Sequence, residues 1–157
     1  MTCSRASDPM TADIPVAVAD TSGLIAFFNA TDQHHQAFRN AVADVGHLVV
    51  SPCVLAELDY LVADRQGAGP AKEIVRYIAG RVAAGRWEVP GIGGLLLAAH
   101  AVLAVYPAIG LTDAINVVLA REFRTDVVAT FDIRHFRMIR PLTPHAAFRL
   151  LPDDFGN

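Results

Sequence analysis

A chain of 157 residues suffices for one domain with a full core and leaves little for a second. With 53% hydrophobic and 18% charged residues it is not an intrinsically disordered chain. Its formal net charge of −3 gives no global attraction to nucleic acid or anionic membranes, so nucleic-acid binding needs a local basic patch or metal ions.

Residues 1–14 lack the apolar run of a secretion signal and read as a loose extension. Val16-Ala17-Val18-Ala19 is an apolar strand that stops at Asp20, and Leu24-Ile25-Ala26-Phe27-Phe28 continues as a buried helix over about 22–29. Phe38, Ala41, Val42 and Val45 recur at i, i+3, i+4 and i+7, which predicts a helix over about 32–44. His47 to Val50 is a short strand. Ser51-Pro52 then opens a helix to about Arg65, with Ser51 as N-cap and proline at the first helical position. Cys53 reads as a small core residue, and only Cys3 accompanies it, which fits a reducing compartment and a cytoplasmic location.

A helix over about 70–84 places Ile74, Val75, Ile78 and Val82 on one face. It carries Lys72, the single lysine beside twelve arginines, and no G-x-x-x-x-G-K-[ST] phosphate loop exists. Arg86 to Val89 is a brief strand. An apolar helix at about 92–105 follows; its stretch, Ile92 to Tyr106, is too short to span a bilayer. A helix at about 112–124 is expected to be capped by Thr112. Strands at Asp126–Thr130 and Phe148–Leu151 complete the order. Alternating strands and helices predict an α/β domain with a parallel sheet, without repeats or a second domain.

Four acids stand out by position. Asp20 and Asp132 each follow an apolar run, and parallel strands bring such ends to one edge, where α/β sheets hold their ligands. Asp20 is equally placed to cap the helix after it. Glu57 sits at the edge of the stripe formed by Val54, Leu58, Leu61 and Val62, so a partly buried carboxylate with partners is expected. Asp113 opens a helix, where acids also favour the dipole, and shares with Asn116 a face opposite Ile115, Val118 and Leu119. Two carboxylates about 4 Å apart repel by roughly 4 kcal/mol at an effective dielectric near 20. A cluster of them needs protons or cations, and oxygen ligands favour Mg²⁺ or Mn²⁺ over zinc.

Four segments together resemble a PIN-domain ribonuclease of the VapC toxin type: Ala19-Asp20-Thr21-Ser22-Gly23-Leu24, Ser51-Pro52-Cys53-Val54-Leu55-Ala56-Glu57-Leu58, Leu111-Thr112-Asp113-Ala114-Ile115-Asn116 and Thr130-Phe131-Asp132-Ile133-Arg134-His135-Phe136. The resemblance covers roughly residues 16–140. It implies a three-layer α/β/α fold with a central, mainly parallel sheet, here over residues 15–152, with a tail at 153–157. It also implies a Mg²⁺ or Mn²⁺ site from Asp20, Glu57, Asp113 and Asp132, with Asp20 and Asp113 as closest ligands and Ser22 and Asn116 as supports. By the same resemblance the substrate is RNA of the transfer or ribosomal class. The partners are a VapB-type antitoxin and a second copy of the chain, with no membrane.

The expected chemistry is metal-assisted hydrolysis of phosphodiester bonds. Arg121, Arg124, Arg134, Arg137 and Arg140, set against three acids in the same stretch, are the expected RNA contacts. The apolar faces at 52–65 and 70–84 offer a groove for an antitoxin helix or a dimer contact. His34, His35 and His135 read as surface residues, and no convergent histidine pair is specified. A Ser-His-Asp site lacks its Gly-x-Ser-x-Gly elbow. A phosphoaspartate enzyme wants an acid where Ser22 stands. A metal-dependent DNA nuclease shares the chemistry, and a non-catalytic PIN-like RNA- or protein-binding module shares the fold.

Overall fold

In the computed structural model, which describes residues 14–155, five strands form one parallel sheet. They are β1 (Ile14–Ala19), β2 (Val45–Val50), β3 (Trp87–Glu88), β4 (Val127–Ala129) and β5 (Arg149–Leu151), in the order β3-β2-β1-β4-β5. β1 is central, pairing Val18 with Val49 on one side and with Val128 on the other. Such strands are buried on both faces, which is why they read as continuous apolar runs.

The connections supply two helical layers. α1 (Thr21–Phe28) and α2 (His35–Ala43) join β1 to β2, and α3 (Pro52–Gln66) and α4 (Ala68–Ala83) join β2 to β3. A 3₁₀ turn (Gly93–Leu95), α5 (Leu96–Val105) and α6 (Leu111–Glu122) lead to β4, and α7 (Ile133–Met138) leads to β5. Alternate residues of the strands divide between two cores. Ala17, Ala19, Leu48, Val50, Val127, Ala129 and Leu151 pack with Leu24, Phe27, Phe38, Val54, Leu58 and Ile78. Val18, Val49, Val128 and Leu150 pack with Val102, Ile115, Val118, Phe136 and Phe148. This is the expected three-layer α/β/α arrangement.

The chain moves outward from β1 through β2 to β3, then returns to start again at β4 beside β1. The direction therefore reverses between β1 and β4, and a crevice opens at their carboxyl ends. α1 begins at that crevice and passes very close to β4. A Cβ on Gly23 would lie 2.7 Å from the Ala129 carbonyl oxygen and would also strike the Phe38 ring, so only glycine fits there.

Ser51 caps α3 as expected, its Oγ accepting from Val54 N–H at 3.1 Å. Thr112 does not cap α6: Gly110 is the N-cap, and the Thr112 hydroxyl donates to Glu57 at 3.0 Å instead. The expected helix at 32–44 begins only at His35, because Asp32 holds the preceding turn through His34 N–H at 2.8 Å. The apolar helix near 92–105 is not wrapped by protein. Ala99 and Val102 are its buried residues, while Leu97 is 83% exposed. α7 was not expected, since six residues are too few for a periodic signal; Asp132 caps it through His135 N–H at 3.3 Å. The expected extension at 1–14 falls outside the described residues except for Ile14, which already belongs to β1. Of the expected tail, Asp154 is tied in by the Arg137 guanidinium and by Leu150 N–H at 2.7 Å.

Candidate active site

Asp20 ends β1 with its backbone N–H on the Ala129 carbonyl at 2.9 Å, which fixes it against the end of β4. It occupies the N-cap of α1, yet its side chain makes no capping hydrogen bond. The carboxylate turns toward β4 and α6. Oδ2 accepts from Ser22 Oγ at 3.0 Å and from Thr130 Oγ1 at 2.9 Å, and Oδ1 accepts from Asn116 Nδ2 at 3.3 Å. Ser22 is held in turn, accepting from Phe131 N–H at 3.0 Å. The helix-cap alternative for Asp20 therefore does not describe this side chain. Burial pushes its carboxyl above the usual range, opposed by the Thr130 and Ser22 hydroxyls and the Thr21 N–H.

Asp113 sits half-buried in the first turn of α6. Its carboxyl is pushed up to about 6, first by burial and then by the charges of Asp20 and Asp132. Asn116 does not lie on a solvated polar face: α6 is the central helix of its layer, and Asn116 is fully buried with its Oδ1 unpartnered.

Asp132 has its backbone N–H on Thr130 Oγ1 at 2.8 Å and its Oδ2 on His135 Nδ1 at 2.8 Å. Asp113, Asp132 and His135 each present a ligand atom, all within 4.8 Å of one another. Glu57 differs from the expectation of partial burial: it is exposed at the rim. It is nonetheless held, with Oε2 accepting from Thr21 Oγ1 at 2.6 Å and Oε1 from Thr112 Oγ1.

Asp20, Ser22, Glu57, Asp113 and Asp132 all line one open cleft of about 560 Å³ at the reversal point. The five arginines do not gather there. Arg121 pairs with its neighbour Glu122 at 2.8 Å, and Arg137 with Asp154. Arg121 and Arg124 lie at the C-terminal end of α6, the end opposite Asp113. Arg134 and Arg140 are exposed.

Sequence reasoning missed four members of the site. Thr21, Thr112 and Thr130 act as side-chain donors; Thr112 reads in sequence as a helix cap, and Thr21 and Thr130 carry no role there. His135 was read as a surface residue. The spacing of His135 from Asp132, three residues apart on what proves to be a helix, was the available signal.

This chain belongs to the PIN-domain family, whose model matches residues 17–140. Among its relatives, Ribonuclease VapC26 of Mycobacterium tuberculosis (strain ATCC 25618 / H37Rv) is 40% identical over 129 residues, covering 80% of this chain and 93% of that protein. Two crystal structures share the fold. Mycobacterium tuberculosis VapC20, described as a Sarcin-Ricin loop cleaving toxin, superposes with a TM-score of 0.63 at 21% identity, covering 74% of this chain and 89% of that one. VapBC2 from Rickettsia felis, bound to a DNA fragment from their promoter, gives 0.59 at 16% identity, covering 82% and 96%. At those identities the two structures speak for the fold alone. Among the described residues, no helix is long and apolar enough to cross a membrane.

Proposed function

We propose that this PIN domain is a Mg²⁺- or Mn²⁺-dependent endoribonuclease, the toxin of a VapBC-type pair. The ribonuclease class rests on the 40% identity to a VapC ribonuclease across most of both chains. The metal dependence rests on one observation: Asp20, Asp113 and Asp132 converge without a lysine or arginine in ion-pair contact among the described residues. Burial first, and then the charges of Asp20 and Asp132, raise the Asp113 pKa, and a cation from outside the chain would relieve that repulsion. The donors fit a hard divalent ion, because among the described residues four carboxylates and no cysteine line the cleft.

Asp20 and Asp113 are the closest holders in this reading, with Asp132 and Glu57 direct or through water. A divalent cation bound there supplies Lewis acidity to a phosphoryl oxygen and lowers the pKa of a water. The chain's own residues do the positioning. Ser22 and Thr130 fix one oxygen of Asp20, and Asn116 the other, so the carboxylate cannot rotate away. The Thr21 and Thr112 hydroxyls hold both oxygens of Glu57 and fix it at the cleft's rim. His135 sets the orientation of Asp132 from the side. In-line attack of water on phosphorus that breaks the P–O3′ bond, with the proton passing to the departing 3′-oxygen, would leave a 5′-phosphate and a 3′-hydroxyl, as the family resemblance implies.

The decisive experiment is cleavage of labelled transfer and ribosomal RNA with Mg²⁺ or Mn²⁺, with EDTA, and with Asp20→Asn or Asp113→Asn. Cleavage in EDTA, or full activity in both variants, refutes the mechanism. Single-stranded and duplex DNA of matched sequence separate this reading from a DNA nuclease. A VapB-type antitoxin and a second copy of the chain are the proposed partners. Exposed Tyr60, Val75, Tyr77 and Val82 on α3 and α4, and Leu97 and Val105 on α5, provide apolar surface for them. Sedimentation of the isolated chain tests the dimer.

A further inference from the structure

Away from the acids, three arginines from three separate segments line one cleft. Arg39 comes from α2, Arg81 from α4 and Arg86 from the residue before β3. The cleft lies at the amino ends of β2 and β3, the edge of the sheet opposite Asp20, and among the described residues no acid lines it. Phe27, Tyr77 and Trp87 form an aromatic wall, with ring centroids 5.9, 5.6 and 5.8 Å apart. The Arg39 guanidinium carbon sits 5.2 Å from the Phe27 ring centre, which holds it against that wall.

Among the described residues, arginine ion pairs are made by Arg76, Arg121, Arg137 and Arg149, not by these three. The Nε of Arg81 is buried and has no hydrogen-bond partner among the described residues. A buried donor without an acceptor is rare in native proteins and needs an explanation. Three like charges beside a low-dielectric wall also concentrate positive potential where an anion would sit.

We propose that this cleft binds a phosphate group. Guanidinium forks match phosphate oxygens in pairs, and arginine outperforms lysine there because its donors are fixed in a plane. The cleft holds about 240 Å³, below the usual range of small-molecule pockets, so it suits one phosphate rather than a whole nucleotide. Two sources supply that chemistry: a backbone phosphate of RNA, or a free phosphate compound. α1 connects the cleft to the active site, because Asp20 precedes its first residue and Phe27 lies in its last turn. The cleft and the acids lie at opposite edges of a sheet whose six-residue strands span roughly 17 Å at about 3.3 Å per residue, so an RNA of several nucleotides is needed to reach both. The RNA source rests on the ribonuclease reading; the phosphate site does not.

The test uses the full chain in EDTA, with wild type, Arg39→Gln/Arg81→Gln and Arg81→Lys. Inorganic phosphate is titrated against chloride at equal ionic strength, and thermal midpoints are read. Wild type gains stability with phosphate beyond the chloride control, the double variant loses the gain, and Arg81→Lys retains part of it. Binding of a labelled single-stranded RNA is measured in parallel across salt. If RNA is the ligand, the double variant binds it at least tenfold more weakly, and its log–log salt slope falls by about 0.7, the value for one phosphate. A lost phosphate response with unchanged RNA binding assigns a free phosphate compound instead. Wild type that binds phosphate but no RNA in EDTA likewise assigns a free phosphate compound to the cleft, while the ribonuclease reading stands or falls on the metal-dependent cleavage assay. No phosphate response beyond chloride overturns the proposal, as does a response equal in wild type and double variant. Binding of polyglutamate in place of phosphate also overturns it, making the ligand an acidic peptide.

Discussion

The two ends of β4 carry aspartates in opposite electrostatic situations. Asp126, just before the strand, is buried, and Arg149 donates to its two oxygens from Nε at 2.7 Å and Nη2 at 2.8 Å. That fork holds the Asp126 carboxyl below its ordinary range. Asp132, just after the strand, has only His135 beside it and faces the carboxylates of Asp113 and Asp20. Burial and mutual repulsion push Asp113 and Asp20 upward instead. One strand thus separates an acid whose counter-charge is part of the chain from acids whose counter-charge is not. The first arrangement stabilises the fold. The second costs stability in the chain alone, and perturbed carboxyls of that kind in a cleft mark a candidate site.

The sharpest way to break this comparison is to neutralise each end. Asp20→Asn and Asp113→Asn should each lower metal-dependent RNA cleavage by more than the ~10–100-fold typical of losing an outer contact to a metal ligand. Both should leave the thermal midpoint in EDTA unchanged or raised. Asp126→Asn should do the reverse. It should cost about 1–3 kcal/mol in urea unfolding, less than a fully buried pair because Arg149 is half open to water, while cleavage per folded molecule stays at wild type.

Thr130→Ala sharpens the picture further. It removes a donor to Asp20 and the acceptor for Asp132 N–H, so metal affinity by calorimetry should fall about 10–100-fold. If affinity is unchanged, the hydroxyl is a packing feature only.

The smallest effect is in pH dependence. Asp113, raised to about 6, contributes stability that is complete below its ordinary value of 3.8 and is lost as pH rises through 6. Asp126, lowered, contributes stability present above 3.8 and lost as pH falls through its depressed value. In EDTA the thermal midpoint should therefore decline from pH 5 to pH 7, and also decline under strong acid. Asp113→Asn should flatten the neutral decline alone, and Asp126→Asn the acid one alone. Either variant flattening both limbs would remove the electrostatic distinction between the two ends.

The acids of the site were legible because each interrupts an apolar pattern. Asp20 and Asp132 follow buried strands, and Asp113 opens a helix that the structure buries nearly all round. Their partners were less legible, since a hydroxyl that orients a carboxylate looks the same in sequence as one that caps a helix. Thr112 illustrates this. Its place near a helix start predicted a cap, while the packing of α3 beside α6 turned its hydroxyl to Glu57. The arginines expected to contact RNA are spread out for a related reason. Arg121 through Arg140 cluster along the chain, but ion pairs and opposite helix ends disperse them. Arg39, Arg81 and Arg86 lie up to 47 residues apart in sequence, yet they meet in one cleft.

Local pattern by itself determined the order of strands and helices apart from the short α7, the parallel sheet, and where the four acids stand relative to it, because burial period and chain interruptions are properties of neighbouring residues. Which acid is buried, which hydroxyl holds it, and which carboxylate keeps its own arginine were decided only in three dimensions. Those depend on side chains more than thirty residues apart, such as Thr21 with Glu57, Asp20 with Asn116 and Asp20 with Thr130. Their energies come from distance and solvent exclusion, which no linear spacing encodes.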